Sequence, residues 1–501
     1  MECQMLPSSQ AFLLNIKAAL DREIAPVTSG EQRKLLASGI PLALNELLFR
    51  IDGAPDQLAS VHAELLLLTE RYNALAHAHP AKLNPIPVAS AAALGSKFDD
   101  VSDAIDAVRE PLVAQIPVLS ALRDDLSVDG PLRDGATLLL VALAENEMKE
   151  VSRPAAAAAA AAQGDRLEMA RDRLQDRMAA VFDAPDLQIV AIHRVSGGFS
   201  KETYIIDVTQ GGGEKRYVLR AGVPGGGYLD AIYGGLDKEF PILQWAWSHG
   251  IPAPEPYHLE TDESLIGSLF VLMQFKEGSA AGDSMYARDQ VDVGIFPALA
   301  GILARLHALP WQGDVNLFPE VEGRTDLTIA ESAQLFIEKN RRWQASADLR
   351  PSVALTIAFD WLERNVPPND APARFIHGDI GFHNMLVSGG DVVALLDWEG
   401  AAIGAPAWDL VAARLMLDDR VSWDQFLDWY VDAGGVRPTD AELDYYLMMR
   451  ALAGNLTCLI ALEKMFEQTG YVPYLELGLA ARPFYLQKLI DSVCALWNEP
   501  A

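Results

Sequence analysis

Three cysteines in 501 residues, Cys3, Cys458 and Cys494, show no metal-ligand spacing and leave one over from any pairing. A disulfide framework is therefore not expected, and a reducing, cytoplasmic setting fits best. Basic residues are also scarce, with 40 Lys and Arg against 69 Asp and Glu and a net charge of −29. Such an excess of negative charge repels nucleic acid and anionic membrane, so neither is expected as a partner. Met1 to Gln10 lacks the basic and apolar regions of a secretion signal, and the apolar stretch Leu138 to Ala144 falls far short of a bilayer span. No G-x-x-x-x-G-K-[ST] loop occurs, which excludes that way of cradling phosphates as far as a motif can. What is plentiful is hydrophobic residues, half of the chain, enough for two sizeable cores.

Apolar residues at three- and four-residue steps predict helices over Ala11–Glu23, Glu31–Arg50, Leu58–His77, Phe98–Leu122 and Gly130–Val151. An all-helical accessory bundle over residues 1–152 is the expectation. His62, His77 and His79 within it read as surface or packed histidines, not ligands. The bundle carries no chemistry that its residues reveal; homodimer formation, docking of a partner and covering of a cleft all stay open for it. Pro154 and the alanines from Ala155 to Ala162 mark a linker over 153–164, since proline and Gly164 bound any helix that oligoalanine would form.

The segment Phe375-Ile376-His377-Gly378-Asp379-Ile380-Gly381-Phe382-His383-Asn384 carries most of the functional information, together with Val392-Val393-Ala394-Leu395-Leu396-Asp397-Trp398-Glu399. An aspartate, an asparagine five positions on and a second aspartate thirteen further on suit phosphoryl transfer, which asks for positioning and charge neutralisation rather than covalent help. Asp379 suits the carboxylate near an acceptor hydroxyl. Asn384 and Asp397 suit a magnesium ion, which takes hard oxygen ligands beside water and phosphate. Between them Ser388-Gly389-Gly390-Asp391 reads as the turn of a β-hairpin that carries Asn384 and Asp397 back to one end of a small sheet.

These residues resemble the H-G-D-x-x-x-x-N and D-W-E motifs of the aminoglycoside phosphotransferase and choline kinase superfamily. The resemblance implies an α+β, protein-kinase-like bilobal domain: a small β-sheet lobe over 165–278 and a helical lobe over 279–501 with the catalytic loop. It also implies ATP and Mg2+ as cofactors. In its terms Ser196, Gly197, Gly198, Phe199 and Ser200 form the Gly-rich phosphate loop, whose glycines let backbone amides approach phosphate. Arg220, in Tyr217-Val218-Leu219-Arg220, stands where kinases usually carry lysine, and Glu239 is its partner carboxylate. A V-L-R at this place is similar to the acyl-CoA dehydrogenase-linked branch of the superfamily. Leu269 to Phe275 resembles the strand and linker beside adenine, with Gln274 to Lys276 meeting the base. Gly404-Ala405-Pro406-Ala407-Trp408-Asp409-Leu410 is similar to G-D-P-x-x-D-L, with Ala405 departing from it and Asp409 read as structural support.

Only twelve positions separate Asp397 from Asp409, leaving no length for the activation segment of a protein kinase. A small hydroxylated acceptor is therefore expected over a polypeptide. The rivals are a nucleotide-binding regulator that acts through its helical domain without transfer, and a kinase of hydroxyacyl-CoA. Antibiotic resistance does not follow from the motif, because acceptor choice lies in variable helices.

Overall fold

The computed structural model describes residues 54–87, 98–125, 127–128, 130–151, 167, 170–195, 201–222, 234–281, 291–347, 349, 352–465, 474 and 477–498. The helices expected over Ala11–Glu23 and Glu31–Arg50, the whole 153–164 linker and the loop Ser196–Ser200 lie outside them. The chain forms two units, one of Met1–Gln163, Ile337–Val366 and Met448–Ala501, the other of Gly164–Phe336 and Pro367–Leu447.

The second unit begins with a five-stranded antiparallel sheet: β1 (Gln188–Val195), β2 (Lys201–Gln210), β3 (Gly213–Gly222), β4 (Pro256–Glu260) and β5 (Phe270–Gln274), in the order β1-β2-β3-β5-β4. Gly211 and Gly212 join β2 to β3 as a two-residue turn with φ of 62° and 77°, a backbone that glycine adopts at little steric cost. Alternate residues of β2, Tyr204, Ile206 and Val208, are buried. They meet Leu174 and Met178 from the helix Arg171–Val181, with Leu219 and Leu272 on the same core. Each such aliphatic side chain removed from water contributes about 1.5–3 kcal/mol.

A second core supports the helical part. Leu299, Leu303 and Leu306 of the helix Ile295–His307 pack with Phe375, Phe382, Leu395, Leu410 and Tyr430. Around it run β6 (Ser279–Ala280), β7 (Arg374–Ile376), β8 (Met385–Ser388), β9 (Asp391–Leu395) and β10 (Ala402–Gly404), with β8 between β6 and β9 and β7 paired to β10. Gly389 and Gly390, at φ of 61° and 87°, make the β8–β9 turn expected from Ser388-Gly389-Gly390-Asp391. Strand β6 is two exposed residues long, too short for any alternation to reveal. The fold is α+β and protein-kinase-like, as the resemblance implies.

The first unit is helical in its described residues. Leu65, Leu68 and Tyr72 are buried on the helix Ala54–Ala78, and Leu140 and Leu143 on Gly130–Val151. The single helix expected over Phe98–Leu122 is two, Phe98–Val113 and Ile116–Asp124. Pro117, in the first turn of the second, has no N–H for the carbonyl of Val113, which suits a helix start there. The unit also takes in later parts of the chain, which differs from the sequence reading of 279–501 as one lobe. Buried Glu147 accepts hydrogen bonds from Ser352 Oγ and Ala354 N, both at 2.7 Å, and so caps the start of the helix Val353–Arg364. A cap supplied from so distant a segment is invisible to helical periodicity.

Among the described residues, one segment, Asp440–Met465, is long and apolar enough to cross a membrane, longer than the Leu138–Ala144 stretch. Some 78% of its apolar window is buried inside the protein, as in a core helix.

The helix Ile329–Ser346 starts with a reciprocal cap: Thr328 N donates to Glu331 Oε2 at 2.9 Å and Glu331 N to Thr328 Oγ1 at 3.2 Å. The backbone hydrogen bond from Thr328 first, and then Arg324, holds the Glu331 carboxyl down at about 2. A depressed carboxyl stabilises the fold above its unfolded value of 4.5, and that contribution is lost as pH falls toward 2. Glu331→Ala should therefore melt below wild type at neutral pH, with a gap that closes on acidification; thermal scans at several pH values check it.

Candidate active site

Asp379 follows β7 on a loop that is gripped from the helix Pro406–Met416. Asp409 on that helix is fully buried and accepts from the backbone N–H of His377 at 2.8 Å and of Gly378 at 2.9 Å. Trp408 Nε1 donates to the Gly378 carbonyl at 2.7 Å. His307 Nε2 lies 3.2 Å from the Asp409 carboxylate, and the other ring nitrogen of His307 lies 2.9 Å from Tyr430 Oη. Burial would raise the Asp409 carboxyl, but these hydrogen bonds, from His307 foremost, hold it below its usual value. Gly378 has φ of 84°, and a Cβ there would lie 2.0 Å from the Gly400 carbonyl oxygen, so only glycine fits.

The loop brings Asp379 and Asn384 into contact. Asn384 Nδ2 donates to the Asp379 carbonyl at 3.0 Å and to its carboxylate at 2.8 Å. The Asn384 carbonyl in turn accepts from Leu396 N at 2.8 Å, so the β8–β9 hairpin sets Asn384 beside the residue before Asp397. Asp397 sits in the left-handed region at φ of 63°, uncommon outside glycine and tolerated by aspartate. His377 is fully buried against the Trp398 ring, 4.6 Å between centroids, and burial lowers its pKa against the opposing charges of Asp409, Asp379 and Asp397.

Arg220, on β3, ties the sheet to this loop. Its Nη1 donates to Glu239 Oε1 at 2.6 Å and its Nη2 to Asp397 Oδ1 at 2.5 Å. Glu239 is buried in the first turn of the helix Leu236–Ser248. Burial opposes charge on Arg220, yet Asp397, Glu239 and Glu399 together raise its pKa further. Burial raises the Glu239 carboxyl, with Arg220 opposing. The same cause, joined by the charge of Asp397, pushes Glu399 up to about 8.

Three residues of this neighbourhood went unassigned in the sequence. Lys201, at the start of β2, reaches Glu399 at 3.3 Å, and His383 Nε2 lies 3.7 Å from the Asp379 carboxylate. Glu399 was legible as a motif member and His383 was not, and only the fold reveals what they touch.

The nucleotide-base segment differs from expectation at Gln274. Its N–H donates to the Glu255 carbonyl at 2.8 Å and its side chain accepts from Glu255 N at 3.4 Å, so these two groups of Gln274 are engaged within the sheet. Lys276 follows the end of β5, half-buried. Ser196, Gly197, Gly198, Phe199 and Ser200 lie outside the described residues.

The oxygen donors suit a hard divalent cation: the Asn384 amide N–H2 is spent on Asp379, which leaves its carbonyl oxygen, and only one Asp397 oxygen receives Arg220.

Among known proteins, the chain is 29% identical over 237 residues to acyl-CoA dehydrogenase family member 11 of Homo sapiens, a match covering 46% of this chain and 28% of that one. It is 28% identical over 239 residues to the same-named protein of Pongo abelii, covering 46% and 28%. The chain thus spans under a third of the length of these curated relatives. A solved structure, macrolide 2′-phosphotransferase MphH from Brachybacterium faecium, is similar with a TM-score of 0.43 and 19% identity, covering 62% of this chain and 97% of that one. The model of the phosphotransferase enzyme family matches residues 191–446, which hold the sheet, the Arg220–Glu239 pair, the catalytic loop and the helix that grips it. With half of its length so matched, the chain belongs to the phosphotransferase enzyme family.

Proposed function

We propose that the protein transfers the γ-phosphoryl group of ATP to a hydroxyl of a small molecule, with Mg2+. The observation that carries this reading is the direct contact of Asp379 with Asn384, held beside the Arg220-bridged pair of Glu239 and Asp397. Asp379 orients the acceptor hydroxyl and takes its proton; its carboxylate is 36% exposed, enough to meet a ligand. Asn384 and Asp397 would hold magnesium, which supplies neutralisation of the phosphate charge. Arg220 is the phosphate-facing cation, kept in place by Glu239, and a cation on Asp397 competes with it for that carboxylate. A small acceptor is favoured by the path between Asp397 and Asp409: a short turn at Trp398–Gly400, β10, and then the gripping helix. Hydroxyacyl-CoA is among the acceptors to try, beside sugars, aminoglycosides and amino alcohols, a choice prompted by the similarity to acyl-CoA dehydrogenase family members.

Calorimetric titration with ATP, with and without Mg2+, tests the donor side. Wild type should bind ATP in a magnesium-dependent way, and Asp397→Ala should weaken that binding by at least about tenfold, the scale of lost support at a metal site. Equal affinity of both proteins, or indifference to magnesium, would overturn the assignment of Asp397.

A further inference from the structure

Lys201 and Arg220 lie on neighbouring strands as diagonal neighbours on one face of the sheet: Lys201 pairs with Gly222, and Thr203 with Arg220. Lys201 is 2% exposed, an unusual place for an ammonium group unless a carboxylate compensates it. That carboxylate is Glu399, whose Oε2 is 3.3 Å from Nζ and 4.0 Å from Arg220 Nη2. Glu239, Asp397 and Glu399 bring carboxylate oxygens within 4.8 Å of one another, so three acids meet two cations in one buried cluster.

We propose that Lys201 is a positioning residue for the nucleotide-metal site, acting through Glu399. Arg220 can give both arms to Glu239 and Asp397 only because a second cation occupies Glu399. Without Lys201 the three acids share one guanidinium. Glu399 then draws Arg220 away from Glu239 and out of its phosphate-facing place, or competes with Asp397 for a divalent cation. This rests on the function proposed above, and it adds a residue that the H-G-D-x-x-x-x-N and D-W-E motifs do not contain.

The test compares wild type, Lys201→Met, Lys201→Arg and the double variant Lys201→Met/Glu399→Gln, by titration with Mg-ATP and by KM and kcat. Lys201→Met should raise Kd and KM for Mg-ATP by about ten- to a hundredfold, as loss of an outer partner at a metal site does. Lys201→Arg should recover most of the affinity. The double variant, with the surplus acid neutralised, should bind more tightly than Lys201→Met alone. Should Lys201→Met fail to fold, the arginine and double variants carry the comparison, both expected within about tenfold of wild type. Wild-type affinity in Lys201→Met, or losses in the double variant that add to those of Lys201→Met, would overturn the inference. Failure of wild type itself to bind Mg-ATP would instead remove the proposed function.

Discussion

Asp379→Asn lowers turnover by roughly two to four orders of magnitude, the usual scale for removing a general base, while ATP binding persists. The asparagine keeps the volume of the side chain and an oxygen for Asn384 Nδ2, which now sits 2.8 Å from the carboxylate. It cannot take a proton or carry negative charge toward the acceptor. The Asp379 side chain is 36% exposed and its neighbour His383 34%, so little packing depends on it and the melting temperature should stay close to wild type. Steady-state kinetics beside ATP titration checks the split; a parallel loss of binding would mean that Asp379 serves the donor and not the acceptor.

The second large effect concerns folding. Asp409→Ala should destabilise by several kcal/mol, about 1–3 kcal/mol for each buried backbone N–H left without its acceptor. The fully buried carboxylate accepts from two consecutive backbone N–H groups, of His377 and Gly378, and faces His307. Deleting it leaves the two backbone N–H groups buried without their acceptor. Asp409→Asn keeps one carbonyl oxygen and should fall between. Because the Asp409 carboxyl is held below its usual value, its contribution is present above about 3.8, the unperturbed value, and disappears as pH falls through the lowered one. Denaturant unfolding of the three proteins at neutral and acid pH reads this directly: the gap between wild type and variant should shrink in acid. Activity should fall with it, since Asp379 follows the clamped residues.

What the sequence disclosed of this site, and what it did not, follows from the range of the forces involved. The turns Gly211-Gly212 and Gly389-Gly390 were legible because positive φ is a local demand that glycine meets. The pairing of Arg220 with Glu239 was legible only through resemblance, since nothing local links a strand to a helix nineteen positions on. The left-handed Asp397, the approach of Lys201 to Glu399 and the use of Gln274 by the sheet were hidden, because each depends on which strands become neighbours. Asp409 showed itself as a helix-start residue, yet its weight lies in two hydrogen bonds to a loop over thirty positions earlier. In the helical unit, Pro117 was visible and its consequence was not drawn, whereas the cap that Glu147 gives to Ser352 spans 205 positions and leaves no periodic trace.

The claim at the centre is that Asp379, Asn384 and Asp397 act together on a phosphoryl group. Mass spectrometry of ATP incubated with Mg2+, the protein and pooled hydroxylated small molecules, hydroxyacyl-CoA included, tests it most directly, with Asp379→Asn run alongside. The account predicts an acceptor heavier by one phosphoryl group, formed by wild type and nearly lost with the variant. A protein that binds Mg-ATP yet phosphorylates nothing in the pool, or a variant that transfers as well as wild type, would contradict it.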